Sequence, residues 1–124
     1  MFNGLEHTAI ASPSPKDLAA WYCETLEFRI VHISGGKVFV RDRGGALMEF
    51  IPSSGLRGPN LRTDPGIRHL AIGVDDFDAA CAQLRQQGVT FLTEPSPPPG
   101  NRIVFFEDPD GNILHLIHRQ HPMP

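Results

Sequence analysis

The chain has 124 residues, a length that suits one domain with a real hydrophobic core. Hydrophobic residues make up 40% and charged residues 20%, and no apolar run approaches the ~20 residues that span a bilayer, which excludes a membrane partner. A net charge of −3 with interspersed signs leaves no basic face, so nucleic acid is not an expected partner. Cys23 and Cys81 lie among apolar residues in helix-like segments, which favours reduced thiols in a cytoplasmic protein.

The first half of the chain has the predicted element order β-α-β-β-β. GLEHTAIAS is typical of a strand, and Ser14, Pro15 and Asp17 then indicate a helix start with a cap, a proline and a first-turn acid. Apolar residues recur at helical spacing from Leu18 to Leu26. Three short strands follow, separated by glycine pairs: FRIVHIS, KVFVRDR and ALMEFIP.

The second half repeats this order after a segment rich in turn formers, residues 53–66, which we predict to be a linker. IRHLAIGV predicts a strand, Asp75 or Asp76 can cap a helix, and Gly88 suits the end of that helix. Three more strands are predicted in VTFLTEP, NRIVFFE and NILHLIH. We therefore predict a single domain over residues 1–124, made of two modules, 1–52 and 67–124.

The duplication places four polar residues at corresponding mid-strand positions. His7 corresponds to His69 in the opening strands, and Glu49 nearly corresponds to His115 in the closing strands. A single histidine on an apolar strand is more often a hydrogen-bonded core residue, and Glu49 alone suits an ion pair at a strand edge. Three imidazoles and one carboxylate on concave apolar faces favour instead one divalent ion of nickel, zinc, iron, cobalt or manganese.

With these residues the chain resembles the vicinal oxygen chelate superfamily, which includes glyoxalase I, methylmalonyl-CoA epimerase, extradiol dioxygenases, fosfomycin-resistance enzymes and bleomycin-binding proteins. The closing FEDPDGNILHL is similar to the family's F-x-DPDGN-x-x-E-L. The resemblance implies an α+β fold in which two βαβββ modules form a cup-shaped, barrel-like mixed β-sheet with helices outside. It also implies that His7, Glu49, His69 and His115 are metal ligands, often in a homodimer that shares ligands between chains.

One position departs from the family pattern. The last ligand is glutamate in most metal-dependent members, and here it is His115. In glyoxalase I and the epimerase that glutamate moves a proton at the carbon next to the chelated carbonyl. A ligated imidazole is a poor base because its lone pair is engaged. The position equivalent to Glu49 can share the proton transfer in glyoxalase I, so the resemblance implies that Glu49, on leaving the metal transiently, is the catalytic base.

The leading functional hypothesis is a metal-dependent lyase or isomerase of glyoxalase type, acting on a small substrate that chelates the metal through two oxygens. The alternatives are an iron-dependent dioxygenase of extradiol type and a protein that sequesters an antibiotic or other small ligand, as bleomycin-binding proteins do. Four further residues are candidates for substrate contacts: Arg41 and Arg102 for a carboxylate or phosphate, and Phe39 and Phe105 for stacking.

Overall fold

A computed structural model describes residues 1–58 and 62–124 of the chain. The chain divides into two compact units, Met1–Arg57 and Gly58–Pro124. Each unit contains one helix and one mixed sheet, so the α+β prediction is confirmed, and the strands form two sheets that are not closed into a barrel. Part of the predicted linker, residues 59–61, lies outside the described residues. In the described part, no helix is long and apolar enough to cross a membrane.

The first unit has the predicted order β-α-β-β-β. Its elements are β1 (Thr8–Ser12), α1 (Pro15–Leu26), β2 (Arg29–Ser34), β3 (Lys37–Arg41) and β4 (Leu47–Pro52). The sheet order is β1-β4-β3-β2, with β1 parallel to β4 and the other pairs antiparallel. The central strands β3 and β4 therefore carry the buried apolar residues, whereas every residue of the edge strand β2 is exposed.

Helix α1 begins at Pro15 as predicted, but the Ser14 side chain does not cap it. The Ser12 hydroxyl instead accepts a hydrogen bond from the Ser14 backbone N–H at 3.0 Å. The helix ends before Glu27, which has a left-handed φ of 63°. Leu18, Ala19 and Tyr22 are buried on the face that packs against β3 and β4. One face of this sheet is thus covered by the helix.

The second unit contains β5 (Leu70–Gly73), α2 (Phe77–Gln86), β6 (Arg102–Glu107) and β7 (Ile113–His118). Its sheet order is β5-β7-β6, with β5 parallel to β7 and β6 antiparallel to it. The Asp76 carboxylate caps α2 by accepting from the Ala79 N–H at 3.0 Å, and Gly88 follows the helix with a φ of 81°.

Both cysteines are free thiols, with Cys81 buried and Cys23 half-buried.

The prediction of a strand at VTFLTEP was wrong. Only Phe91 forms an isolated bridge there, opposite Phe106. The Thr93 and Ser96 hydroxyls accept hydrogen bonds from backbone N–H groups of β6, at 3.1 and 2.7 Å. Because these side chains take the place of backbone carbonyls, a continuous ladder does not form along this segment.

Candidate metal centre

In the first unit, a cluster forms around Glu49 on β4. Glu49 lies opposite Ala9 on β1 and opposite Phe39 on β3. His7 precedes Ala9 by two residues, and its Nε2 lies 3.4 Å from the Glu49 Oε1. The His7 ring also meets the Phe39 ring edge-on, with centroids 6.2 Å apart. We call His7, Phe39 and Glu49 the first cluster.

In the second unit, an equivalent cluster forms around His115 on β7. His115 lies opposite Ala71 on β5 and opposite Phe105 on β6. His69 precedes Ala71 by two residues, and its ring centroid lies 4.6 Å from that of His115. The Phe105 ring meets both imidazoles edge-on, at 5.7 and 5.0 Å. We call His69, Phe105 and His115 the second cluster, because each member occupies the register position of its counterpart in the first.

The His7 imidazole lies between two carboxylates. Its Nδ1 contacts the Glu6 Oε1, and its Nε2 faces Glu49. The hydrogen bond to Glu6 raises the pKa of His7 above 6.5, with smaller contributions from both negative charges. A neutral imidazole would turn one lone pair toward a carboxylate oxygen, so a proton or a metal cation is needed between them. The first cluster therefore has the charge and the donor atoms of a cation site.

His115 is held in a fixed orientation by its own strand. It is 6% exposed, and its Nδ1 donates to the Leu116 carbonyl at 3.2 Å, which leaves the Nε2 lone pair available. Burial lowers the pKa of His115 below 6.5, and electrostatic interactions with His69 and Arg119 lower it further. A neutral imidazole with one nitrogen hydrogen-bonded to a carbonyl is the usual state of a histidine metal ligand.

The structure corrects the predicted positions of the two opening histidines. His7 and His69 were expected mid-strand, but each lies one residue before its strand, β1 or β5. Leu5 and Ile67, each two residues before its histidine, are 88% and 85% exposed. Among the described residues, the strand pairings of β1 and β5 begin at Thr8 and Leu70. The two imidazoles therefore lie just ahead of the strands, where each still meets the residue predicted to accompany it.

The two arginines singled out in the sequence are both engaged in structural contacts. Arg41 donates to the Gly45 carbonyl at 2.8 Å across the turn between β3 and β4. Arg102 lies on the opposite face of β6 from Phe105. There its guanidinium stacks over Phe77 of α2 at 4.6 Å and donates to Asp78 at 2.9 Å. The structure therefore brings Phe39 and Phe105 into the two clusters but does not bring Arg102 there.

Two residues near the clusters were missed in the sequence. The Arg62 guanidinium lies 4.6 Å from the centroid of Phe105, and the His32 ring lies 5.8 Å from that of Phe39. Arg62 belongs to a turn-rich segment without periodicity, so no pattern indicated where it points. His32 faces Phe39 only because a bulge between Ile30 and His32 shifts the register of β2.

The donor chemistry fits a divalent transition metal. Within residues 1–58 and 62–124, no three His, Cys, Asp or Glu side chains are grouped to hold a metal ion, so each cluster provides two donors by itself. His7 and His115 each have Nδ1 engaged by an acceptor, which leaves Nε2 for a ligand. Imidazole nitrogen with carboxylate oxygen suits zinc, iron, nickel, cobalt or manganese.

Comparison with known proteins identifies the family. The Glyoxalase/Bleomycin resistance protein/Dioxygenase superfamily matches residues 4–116. A probable lactoylglutathione lyase of Vibrio cholerae is 41% identical over 54 residues, which cover 42% of this chain and only 39% of that protein. A probable lactoylglutathione lyase of Synechocystis is 28% identical over 128 residues, covering 91% of this chain and 93% of that protein.

Solved structures share the fold. Oxidase ChaP-H2 superposes with a TM-score of 0.76 at 26% identity, covering 98% of this chain and 97% of that one. The fosfomycin resistance protein FosX from Listeria monocytogenes, complexed with Mn(II) and sulfate, has a TM-score of 0.72 at 17% identity, covering 94% of this chain and 90% of that one. With the family match spanning almost the whole length, the chain belongs to the Glyoxalase/Bleomycin resistance protein/Dioxygenase superfamily.

Proposed function

We propose that the protein is a metal-dependent lyase or isomerase of glyoxalase type that acts on a small substrate with two neighbouring oxygens. The observation that carries the proposal is the repeated register: a histidine ahead of one strand meets Glu49 in the first unit and His115 in the second. In the proposal, His7, Glu49, His69 and His115 together hold one divalent metal ion per site. The relatives named lactoylglutathione lyase and the Mn(II) complex of FosX support this class of activity.

The metal, when bound, would act as a Lewis acid toward the substrate oxygens. The protein's own chemistry centres on Glu49, whose side chain is only 12% exposed and is the one carboxylate of the first cluster. We assign to Glu49 the transfer of a proton from the carbon beside the substrate carbonyl to the adjacent carbon of the substrate. His7 faces the carboxylate and orients it, while Phe39 and Phe105 form apolar walls that keep water from the reacting carbon.

The first test is metal content by plasma emission on tag-free protein purified without chelator. We expect close to one metal ion per chain, lost in His115→Ala and in Glu49→Ala. His121→Ala is the control, because His121 is exposed in the C-terminal tail and should leave metal content unchanged. No metal after reconstitution with nickel, zinc, manganese and ferrous iron would remove the proposal and favour a sequestering protein with a polar pocket.

Activity of the metal-loaded protein is the second test. The substrates are 2-oxoaldehyde adducts of small thiols and acyl-CoA thioesters, and turnover is expected to fall about 100-fold or more in Glu49→Gln. The Gln variant retains the shape and an oxygen ligand but has no basic carboxylate. Inactivity of the wild-type protein across this panel would contradict the glyoxalase-type reaction while leaving the metal site intact.

An oxygen-dependent reaction is the second candidate, favoured by the 26% identity to an oxidase over nearly the full chain. Anaerobic loading with ferrous iron, followed by oxygen-uptake measurements with catechols, separates the two. Uptake that requires both iron and catechol would replace the lyase or isomerase assignment with a dioxygenase. Unchanged oxygen levels would exclude ring cleavage of these substrates.

We propose further that the protein works as a homodimer with ligands contributed by both chains. Light scattering measures the oligomeric state. A His7→Ala/Glu49→Ala chain is then mixed with a His69→Ala/His115→Ala chain under exchange conditions. Metal binding by the mixture, but by neither parent, would establish shared sites, whereas no recovery in a verified heterodimer would place all four ligands on one chain.

A further inference from the structure

Arg62 is joined to the second cluster through the Phe105 ring. Its guanidinium carbon lies 4.6 Å from the ring centroid, and the same ring contacts His69 and His115. A single aromatic side chain therefore separates a permanent positive charge from the imidazole pair. A cation–π contact of this kind does not use the N–H groups of the guanidinium as hydrogen-bond donors to a protein acceptor.

The Arg62 donors are available to a ligand. Within the part of the chain that the structure describes, Arg62 is exposed and makes neither a hydrogen bond nor an ion pair. Arg41 and Arg102 differ in this respect, because both donate to other groups of the protein. Among the contacts between described residues, Arg62 differs from Arg41 and Arg102 because its guanidinium donates to no protein acceptor.

The surroundings of the second cluster favour a negatively charged ligand. Arg62 approaches the second cluster, whose members are two imidazoles and a phenylalanine, so this cluster contains no carboxylate. The first cluster, by contrast, contains the Glu49 carboxylate, and the Glu6 carboxylate contacts its His7. An anionic group would therefore be attracted to the second cluster rather than to the first.

We propose that Arg62 binds the anionic group of the substrate, a carboxylate or phosphate, while the adjoining part of the substrate lies against Phe105 toward His69 and His115. This inference rests on the proposed function for the identity of the substrate as a small oxygenated molecule. A guanidinium binds either oxyanion through two parallel hydrogen bonds. Arg62 is thus a specificity-determining residue, and among substrates with two neighbouring oxygens it favours those that also carry a carboxylate or phosphate group.

The test uses metal-free protein and three probes: lactate, inorganic phosphate and the neutral lactamide. Ring resonances of Phe105 and His69 are followed by NMR during each titration at low salt. In Arg62→Gln the affinity for the preferred anion should fall about 10-fold or more. In Arg62→Lys it should fall by less, because lysine retains the charge but cannot donate two parallel hydrogen bonds. Lactamide should respond equally in all variants.

Arg85→Gln is the matched control. Arg85 lies 4.7 Å over the Phe91 ring in the same unit, so its replacement removes an equivalent stacking contact away from the clusters. Unchanged anion affinity in Arg85→Gln, with a loss in Arg62→Gln, supports the proposal. Equal losses in both variants, or an Arg62→Gln affinity within twofold of wild type for both anions, would overturn it. A response to lactate alone identifies a carboxylate, and one to phosphate alone a phosphate.

The metal content of Arg62→Gln separates this inference from the proposed function. Metal bound normally, with anion binding lost, supports both. Anion binding that depends on Arg62 in a protein that never takes up metal would support Arg62 as the anion-binding residue and contradict the metal-dependent reaction. Normal metal content with anion binding unaffected by Arg62→Gln would contradict the inference alone.

Discussion

Glu49 and His115 occupy the same register position in the two sheets. Each lies opposite an alanine of a parallel strand and a phenylalanine of an antiparallel strand. The two units therefore present the same backbone geometry with different chemistry, an acidic carboxylate in one and a buried neutral imidazole in the other. Exchanging these side chains changes the donor set without changing the frame that holds it.

His115→Glu is the first prediction that follows. It restores the residue that the family motif carries at this position and adds a second carboxylate to the proposed site. Without metal, the buried carboxylate is expected to destabilise the fold by about 1 to 3 kcal/mol, and metal should offset that loss. Calorimetric melting with and without metal checks this. His115→Gln, which adds no charge, should show a smaller metal-dependent rise in Tm, and equal rises would contradict the account.

The pH dependence of metal binding should follow His7. Its pKa lies above 6.5 because of Glu6, so the metal must displace a proton there, whereas His115 is already neutral at that pH. Metal affinity should therefore rise as the pH increases through the His7 pKa. Glu6→Gln removes the main cause of the shift and should move the affinity profile to lower pH. A profile unchanged by Glu6→Gln, measured by competition with a chromogenic chelator, would exclude His7 as the controlling group.

Acid stability of the metal-free protein should reflect His115. Burial lowers its folded-state pKa, so between 6.5 and that lower value the unfolded chain takes up a proton that the folded chain does not. Its contribution to stability is present above pH 6.5 and is lost as the pH falls, with a limiting slope of about 1.4 kcal/mol per pH unit. Urea unfolding from pH 7.5 to 5 should show a shallower dependence in His115→Gln; parallel curves would contradict burial as the cause.

The sequence predicted which residues of the two clusters correspond to each other. A period of two placed Glu49 and His115 on definite faces, and the duplication matched them correctly. It could not fix where β1 and β5 begin, because pairing with a partner strand, not composition, decides that boundary. Arg102 illustrates the same limit. Its face depends on the register of β6 against β7, and its contacts with Asp78 and Phe77 depend on where α2 packs.

The turn before β7 should set the stability of the second unit. Asp108 is 4% exposed, and its carboxylate accepts from the backbone N–H groups of Asp110 and Asn112 and from the Asn112 side chain at 2.8 to 3.0 Å. Asp108→Ala leaves these donors without their acceptor and is expected to cost about 2 to 4 kcal/mol in urea unfolding. The exposed Asp75→Ala should stay within about 0.5 kcal/mol of wild type. A loss no larger than that control's would show that the turn does not depend on Asp108.

Arg102 is predicted to act in stability rather than in ligand binding. It joins α2 to β6 by stacking on Phe77 and donating to Asp78, and its Nε donates to the Ser96 carbonyl at 2.6 Å. Because Asp78 is exposed, its ion pair with Arg102 contributes little to stability. Arg102→Ala should therefore lower the free energy of unfolding by about 1 to 2 kcal/mol, mainly through lost packing against Phe77. Arg102→Lys should recover part of it. Unaltered stability together with weakened lactate or phosphate binding would instead indicate that Arg102 contacts the ligand. That result would contradict its position on the face of β6 opposite Phe105.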